Sequence, residues 1–426
     1  MNADIEEVLE QLQRDSFQYF NELASPNNGL IPDTTRSNSP ASIATVGFGL
    51  TAYVIGVARS YMTREQAVER VVKTLRFFSA SEQSPKPDAS GHKGFYYHFL
   101  DMQSGRRAYD CELSLIDSSL LFAGMLTAAS FFNHDSAGER EIRLLTDQLY
   151  RRADWRWALA ERKTVAMGWK PECGFLNYDW DGYTESMILY MLGLGSPTHA
   201  LPTTVYSAWC STYQWENIYG IEFLYAGPLF IHQFSHLWID FRGIRDPFMR
   251  QMNSDYFENS RRATYAQREY AIRNPGGFKG YDARCFGTTA GEGPGEAKIR
   301  VDGAQLRFEG YTARGFPYGP DDGTISPWVA LASIAFAPEI VLPTLAYIRE
   351  HFPATTHEHA FQRSFNPSFP GDSEAGWIAP QLCGLELGPM VIMIENYRGG
   401  LVWELMRRCP YIVRGLRLAD FRGGWL

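Results

Sequence analysis

Acidic residues stand where loops enter apolar segments of this 426-residue sequence: Asp110, Glu112, Asp117, Asp179, Asp181, Glu185, Asp321, Asp322, Glu386 and Glu395. A carboxylate at a helix start caps free N–H groups and complements the helix dipole, which would explain any one of them. Glu185 and Glu395, however, fall inside apolar segments, where a buried carboxylate needs a partner or a raised pKa. Acid/base cleavage of glycosidic bonds uses two neighbouring carboxyls with different pKa values.

Aromatic residues accompany these acids, and aromatics make up 14% of the chain. Trp and Tyr on a pocket wall stack against the apolar faces of sugar rings, although filling a large helical core is the competing explanation. The aromatic residues considered for such a pocket are Trp180, Tyr183, Phe286 and Trp377. The polar side chains that could hydrogen-bond sugar hydroxyls are Arg36, His98, Gln233, His236 and Arg398.

The sequence predicts neither a metal nor an organic cofactor. His232 and His236 have the i,i+4 spacing of zinc ligands, but no HExxH motif is present, so we interpret them as core histidines. The six cysteines include no CxxC pair and are expected to be free thiols. The sequence has no GxSxG elbow and no P-loop, and its glycine-rich stretch at 291–295 lacks a strand–turn–helix setting.

Composition argues against several partners. The net charge is −8 without a basic cluster, which disfavours a nucleic-acid partner, and the apolar runs are too short to span a membrane. The first residues lack the basic and apolar regions of a secretory signal, so the chain as given is expected to be cytoplasmic, or periplasmic if a signal was removed. The sequence leaves the oligomeric state open.

The elements that must position the acids are predicted to be helices, because apolar residues recur with the helical period along the chain. The predicted helices cover residues 5–23, 41–61, 64–79, 113–132, 137–159, 182–194, 203–215, 223–241, 253–273, 326–336, 338–351 and 388–405, with a short hairpin at 298–308. In most of the six resulting pairs, a charged helix alternates with an apolar one. An all-α, (α/α)6 toroid with an apolar inner ring fits this alternation.

Three long loops, at residues 80–112, 274–325 and 353–387, each lead into a predicted apolar helix. Long ordered loops are unusual in compact domains and are often functional. All three should gather at one end of the toroid, above the starts of the inner helices. We find no low-complexity linker, so residues 1–426 are expected to form a single domain.

At these residues the chain resembles the bacterial glucoamylase-like family that contains endo-β-1,2-glucanases and sophorose-releasing enzymes, glycoside hydrolase family 144 and its relatives. The similar segments occur in family order and span roughly residues 10 to 420. They are GLIPD (29–33), ATVGFGL (44–50), ELSLID (112–117), WDGYTE (180–185), GSPTH (195–199), HQFSH (232–236), WIDFR (238–242), DGT (322–324) and MIENYR (393–398).

The resemblance implies an (α/α)6 fold, hydrolysis of β-1,2-linked glucan with inversion, and Glu185 as the general acid. The family's second acid lies in a Gly-x-Asp-Gln-Gly-Pro stretch, which here reads GLELGP at 384–389, so Glu386 replaces the Asp. A side chain longer by one methylene shifts a base by ~1 Å. Asp117, Asp322 and Glu374 are the alternative bases. The predicted substrate contacts are Asp33, Arg36, His98, Glu112, Asp117, Trp180, Tyr183, Gln233, His236, Phe286, Asp322, Trp377, Glu395 and Arg398.

Two other hypotheses stay open from the sequence. The replacement at Glu386 would also suit a carbohydrate enzyme for another linkage, a transglycosylase or a phosphorylase on the same scaffold. A non-catalytic glucan-binding protein would need the aromatic residues but not the acids. In each case the expected partner is an oligo- or polysaccharide.

Overall fold

Helices form the frame of the molecule. The structure, a computed structural model, describes residues 3–301, 303–355 and 363–426. Its α-helices are α1 (Ala3–Glu22), α2 (Ile43–Ala58), α3 (Arg64–Ala80), α4 (Leu115–Phe131), α5 (Ala137–Arg152), α6 (Met187–Gly195), α7 (Thr204–Cys210), α8 (Pro247–Gln251), α9 (Tyr256–Arg273), α10 (Pro327–Leu331), α11 (Pro338–His351), α12 (Gly384–Arg398), α13 (Leu401–Arg407) and α14 (Pro410–Leu418). Short 3-10 helices cover Trp157–Leu159, Leu229–His232, Phe234–Leu237 and Pro353–Thr355.

Buried and amphipathic helices alternate along the chain, as the sequence predicts. Helices α2, α4, α6 and α12 are buried along most of their length, whereas α3, α5 and α9 each expose a charged face. A helix covered on all sides must be apolar all round, and one that faces water needs a single apolar stripe. Helix α12 packs against both α1 and α2, so the last long helix returns to the first.

Helices α2 and α4 cross unusually closely because each contributes a glycine to the contact. A Cβ atom on Gly47 would lie 2.4 Å from the carbonyl oxygen of Leu120, and one on Gly124 would lie 2.0 Å from the carbonyl oxygen of Gly47. Neither oxygen can move without shifting its helix. The small residues therefore set how near the starts of these two buried helices approach each other.

Strands occur in the loops, so the prediction of an all-α chain is wrong for the loops although the frame is helical. One antiparallel sheet has five strands in the order β2-β3-β5-β6-β7, and the hairpin predicted at 298–308 is confirmed as the pair β11–β12. The strands are β1 (Ala41–Ser42), β2 (Gly91–His92), β3 (Phe95–Tyr97), β4 (Phe99–Leu100), β5 (Leu113–Ser114), β6 (Gly168–Lys170), β7 (Gly174–Phe175), β8 (Trp215–Ile218), β9 (Ile221–Leu224), β10 (Ala290–Gly291), β11 (Ala297–Val301), β12 (Ala304–Phe308), β13 (Thr312–Ala313), β14 (Phe365–Asn366) and β15 (Trp377–Ile378).

Three predicted helices are interrupted. The helix predicted at 137–159 is α5 followed by the 3-10 helix Trp157–Leu159. The helix predicted at 223–241 is instead the end of β9 followed by two 3-10 helices, because Gly227 and Pro228 break the run between them. The helix predicted at 388–405 is divided into α12 and α13 at Gly400, which has a φ of 69°. Among the described residues, no helix is both long and apolar enough to cross a membrane.

Candidate active site

The loop before α2 lies against the start of α12. The amide of Gly384 donates a 2.8 Å hydrogen bond to the carbonyl of Asp33, and the amide of Thr35 donates one of 3.0 Å to the carbonyl of Leu382. These bonds hold Asp33 beside the first turn of α12, which carries Glu386. Two acids separated by 353 positions in the sequence thus come to the same end of the helical frame.

The starts of α2 and α4 bring a second group of residues to this end. The amide of Ile43 donates to the carbonyl of His98 at 3.2 Å, and the amide of His98 donates to the carbonyl of Glu112 at 3.0 Å. Ser114 caps α4: it accepts the amide of Asp117 at 3.2 Å, and its hydroxyl donates to the carboxylate of Asp117 at 2.5 Å.

His98, Glu112 and Asp117 form a compact ionic group. The Nδ1 atom of His98 lies 2.9 Å from the carboxylate of Glu112 and 3.6 Å from that of Asp117. Burial opposes the charged imidazole, but the carboxylates of Asp117, Glu112 and Asp33 raise the pKa of His98 to about 9. The ligand atoms of the three residues lie within 4.8 Å of one another and could hold a metal ion, although their mutual hydrogen bonding already accounts for the cluster.

Glu185 lies in the turn just before α6, not one turn inside a helix as predicted. The hydroxyl of Ser235 fixes this turn, since it donates to the carbonyl of Glu185 at 3.1 Å and accepts the amide of Ile188 at 3.0 Å. Burial, with a smaller contribution from the charge of Asp117, raises the pKa of Glu185 to about 7. A carboxyl in this state can hold a proton near neutral pH and release it.

Glu386 lies in the first turn of α12, which begins four residues before the start predicted at 388. At such a position the helix dipole favours the ionised form of a carboxylate. Burial and repulsion by Glu292 and Asp33 outweigh the dipole and raise the pKa of Glu386 to about 8. The side chains of Glu185 and Glu386 both keep partial solvent exposure, and the space that opens onto them is called the cleft.

Asp33 and Arg36 complete the acid cluster around Glu386. Burial raises the pKa of Asp33 to about 6, with opposing contributions from the His98 charge and from the carboxylate of Asp117. The guanidinium of Arg36 lies 3.2 Å from the carboxylate of Glu292, and this pair is exposed at the cleft rim. The structure thus brings together six of the residues predicted from sequence and adds Glu292 to them. The six are Asp33, Arg36, His98, Glu112, Asp117 and Glu386.

Glu395 and Arg398, which were predicted to be substrate contacts, do not belong to this cluster. Glu395 follows Glu386 by nine residues on the same helix, which corresponds to ~13 Å along the axis. Its buried carboxylate pairs with Arg59 at 2.7 Å. Arg398 lies one turn further on and pairs with Glu6 at 2.5 Å. Both residues therefore fasten α12 to its neighbours.

Asp322 is occupied by a buried ion pair. The side chains of Arg314 and Asp322 are each 1% exposed, and the shortest distance between guanidinium and carboxylate is 2.7 Å. Burial opposes this state, but the Arg314 guanidinium holds the pKa of Asp322 below its usual range. The carboxylate predicted to contact substrate is thus engaged by Arg314, and the ion pair supports the loops.

Gln233 and His236 are core residues, contrary to their prediction as sugar contacts. The amide of Gln233 donates to the carbonyl of Val329 at 2.6 Å and to the hydroxyl of Ser333 at 2.7 Å. The Nε2 atom of His236 lies 3.0 Å from the hydroxyl of Ser260, and burial lowers the pKa of His236 to about 3. Both side chains are almost fully buried, and each makes hydrogen bonds within the core, although Oε1 of Gln233 and Nδ1 of His236 have no hydrogen-bond partner among the described residues.

The predicted aromatic pocket is mostly core. Phe286 is 1% exposed and Trp180 8% exposed. Tyr183 keeps partial exposure but packs its ring on Tyr256, with 6.0 Å between the ring centroids. Trp377 is also partly exposed and lies in the short strand β15. Core filling, the competing explanation, describes Phe286 and Trp180.

Tyr311 is a residue of the cleft that the sequence did not single out. Its side chain is among the most exposed of the large aromatic residues, and the charges of Asp33, Asp117 and Glu386 reach its hydroxyl. The available signal was weak: an aromatic residue after Gly310 in a long loop. Taken together, this end of the frame holds three carboxyls with raised pKa values, those of Asp33, Glu185 and Glu386, among further acids, which is suited to acid/base chemistry.

The chain is similar to known proteins over most of its length. The model of the Glycoamylase family, described as "putative glucoamylase", matches residues 177–410. A curated protein of Parabacteroides distasonis, an exo β-1,2-glucooligosaccharide sophorohydrolase (non-reducing end), is 28% identical. The alignment covers 97% of this chain and 57% of that protein, so the chain spans little more than half the length of this relative.

Solved structures also resemble it closely. A structure from Bacteroides uniformis ATCC 8492 with the same glucoamylase description has a TM-score of 0.88 and 31% identity, with 100% of both chains covered. An endo-β-1,2-glucanase from Chitinophaga pinensis, in complex with sophorotriose and glucose, has a TM-score of 0.84 and 26% identity, with 99% of each chain covered. The family match spans more than half of the chain and includes both Glu185 and Glu386. The chain therefore belongs to the Glycoamylase family.

Proposed function

We propose that this protein is an inverting glycoside hydrolase of β-1,2-linked glucan, with Glu185 as its general acid. The observation that carries the proposal is the Glu185 carboxyl, which is held in a cleft with a pKa of about 7 beside further carboxylates. The substrate class is supported by two members of similar sequence, the Parabacteroides sophorohydrolase and the Chitinophaga endo-β-1,2-glucanase. Two carboxyls suffice for the reaction.

In the proposed reaction, Glu185 donates its proton to the glycosidic oxygen as the bond to the anomeric carbon breaks. Glu386 takes a proton from a water molecule, directly or through a substrate hydroxyl, and that water attacks the anomeric carbon from the opposite face. The product has the inverted configuration. Since the pKa of Glu386 is raised to about 8, the base is ionised only in a fraction of molecules at neutral pH.

The three alternative bases differ in their surroundings and in their distance from the acid cluster. Asp322 is neutralised by Arg314, and Glu374 is exposed on a separate cavity of about 530 Å³ that is also lined by Arg300 and Phe369. Asp117 stays the alternative to Glu386, because it lies in the same cluster and its charge acts on Glu185. We assign Glu386 as the base because it occupies the first turn of α12, where the resembling family carries its second acid.

The helical frame supports a proposal about architecture as well. We propose one domain with an (α/α)6 toroid, whose inner ring includes α2, α4, α6 and α12. The alternation of buried and amphipathic helices supports it, as does the contact of α12 with α1. One core cluster contains residues from Leu9 to Phe421, so both ends of the chain contribute to the same interior.

The proposed activity is tested by incubation with linear glucans of single linkage, β-1,2, β-1,3 and β-1,4, followed by separation of the products. Only the β-1,2-glucan should be degraded, and nuclear magnetic resonance should show the inverted anomer first. The Glu185→Gln variant is the control for contaminating activity. If only a glucan of another linkage is degraded, that glucan replaces β-1,2-glucan as the proposed substrate. If no glucan is degraded, the proposed hydrolase activity is wrong and a glucan-binding protein is the alternative.

A further inference from the structure

Tyr311 exposes its ring although aromatic side chains are costly to leave in water. Its side chain is 76% exposed, and none of the aromatic rings in the described part of the chain packs against it. By contrast, the similarly exposed Tyr318 packs its ring on Tyr225, with 5.4 Å between the centroids. Packing therefore explains the position of Tyr318 but not that of Tyr311.

The hydroxyl of Tyr311 lies within electrostatic reach of the acid cluster. Surrounding protein raises the pKa of Tyr311 to about 12, and the charges of Cys383, Asp33, Asp117 and Glu386 add to this effect. The exposure of Tyr311 and the electrostatic effect of Glu386 on its hydroxyl together indicate that Tyr311 lies beside the space that opens onto Glu386.

The loop that carries Tyr311 is held rigidly. Arg314 donates hydrogen bonds to the carbonyl of Gly310 at 2.9 Å and to the carbonyl of Gly291 at 2.8 Å. Asp322, the buried partner of Arg314, accepts the amide of Glu309 at 2.9 Å. The ion pair therefore fixes the residues on both sides of Tyr311.

The same ion pair joins this loop to the catalytic cleft. Strand β13, which follows Tyr311 directly, pairs with β10, so that Thr312 lies opposite Gly291. A Cβ atom placed on Gly291 would lie 3.8 Å from Oε1 of Glu386. Tyr311 is thus anchored one strand away from the backbone that borders the proposed base.

We propose that Tyr311 forms a sugar-binding contact of the cleft, in which its ring packs on the apolar face of a glucosyl residue seated against Glu386. Aromatic rings bind pyranose faces because the C–H groups of the sugar supply an apolar surface of matching size. The inference rests on the proposed function, since it assumes that a glucan occupies the cleft. The glucosyl residue is then the packing partner of the exposed Tyr311 ring, in place of a residue of the protein.

The test compares Tyr311→Ala, Tyr311→Phe and the matched control Tyr318→Ala by steady-state kinetics on β-1,2-glucan. We expect Tyr311→Ala to raise KM about tenfold while kcat stays within about threefold of wild type. Tyr311→Phe, which keeps the ring, should stay within about twofold of the wild-type KM, and Tyr318→Ala should match wild type. Thermal unfolding of each variant separates a loss of binding from a loss of fold.

Each outcome bears on the proposal. An unchanged KM in a folded Tyr311→Ala variant overturns the contact while leaving the proposed function intact. A Tyr311→Phe variant as impaired as Tyr311→Ala also overturns it, because the hydroxyl and not the ring would then be the contact. If the wild-type protein fails to degrade β-1,2-glucan, the proposed function fails and the inference fails with it.

Discussion

At the residue scale, Glu185 is distinguished by surroundings that keep a carboxyl partly protonated near neutral pH. Replacing Glu185 with Gln preserves its size and its hydrogen-bonding capacity but removes the transferable proton. We expect kcat on the best substrate to fall by about 10³-fold or more, because general acid catalysis contributes roughly 10²–10⁴-fold. The melting temperature should stay the same. Glu374→Gln, on the separate cavity, should keep full activity.

The two raised pKa values predict a narrow pH profile. Glu185 must be protonated, which is favoured below pH 7, and Glu386 must be ionised, which is favoured above pH 8. The productive form therefore peaks midway, at about pH 7.5, where it makes up on the order of a twentieth of the molecules. We expect kcat/KM to change little between pH 7 and pH 8, and to approach a tenfold fall per pH unit well below pH 7 and well above pH 8. A rate that stays flat from pH 7 down to pH 5 would move the base to another carboxylate.

The sequence indicated the chemistry of single residues better than their locations. An acid within a predicted apolar helix indicates a carboxylate with special surroundings; Glu395 is buried in α12, whereas Glu185 lies in a turn and is partly exposed. In Glu185 the environment is a cleft, whereas in Glu395 it is the guanidinium of Arg59, 336 positions away in the sequence. Partners at such separations leave no local pattern, which is why Glu395 was predicted to be a site residue.

At the element scale, the buried Arg314–Asp322 pair organises the loops over the cleft. Replacing Arg314 with Met leaves the carboxylate of Asp322 buried without its cation, which costs about 3–5 kcal/mol of folding free energy. The control is Arg36→Met at the exposed pair with Glu292, where the loss should be below about 1 kcal/mol. Urea unfolding measures both. Equal losses in the two variants would contradict the structural role of the buried pair.

The crossing of α2 and α4 makes a second prediction about elements. Alanine is favoured over glycine within a helix by about 1 kcal/mol. At Gly124 this gain is outweighed, because the new Cβ would lie 2.0 Å from the backbone oxygen of Gly47. We expect Gly124→Ala to destabilise the protein by about 2–3 kcal/mol, as overpacking does.

The matched control for Gly124→Ala is Gly138→Ala in α5, where the new Cβ would meet only the side chain of Val68 at 2.6 Å. A side chain can rotate away, so this variant should lie within about 1 kcal/mol of wild type. Denaturant unfolding of both variants provides the comparison. Equal stability of Gly124→Ala and the wild type would show that the two helices can separate at no cost.

Helices with a clear amphipathic period were the most predictable elements. Residues 338–351 were predicted to be a helix, and α11 has the same bounds. The prediction of a helix at 223–241 failed because the segment is mostly apolar and aromatic, which does not distinguish a helical from an extended period, and because Gly227 and Pro228 interrupt it. In the structure it contains a strand end and two 3-10 helices. The hairpin β11–β12 was predictable because its residues alternate.

At the scale of the whole molecule, the chain is closed by contacts between its first and last long helices. The side chain of Gln13, on α1, donates a 3.2 Å hydrogen bond to the carboxylate of Glu395 and accepts one of 2.6 Å from Arg398, both on α12. Arg59, which follows α2, joins the same carboxylate. In a closed ring of paired helices, the first and last helices must contact each other. The sequence predicts this contact only indirectly, because buried and amphipathic helices alternate along it.

This closure gives the last prediction, Glu395→Gln. The substitution removes the charge that pairs with Arg59 but keeps the shape of the side chain, and it should cost about 2–4 kcal/mol of folding free energy. The values of kcat and KM on glucan should stay unchanged, because Glu395 lies ~13 Å along α12 from Glu386. Unfolding and kinetics of the same preparation measure the two effects. A stable variant with a large loss of kcat would place Glu395 in the active site, as a third functional carboxylate beside Glu185 and Glu386.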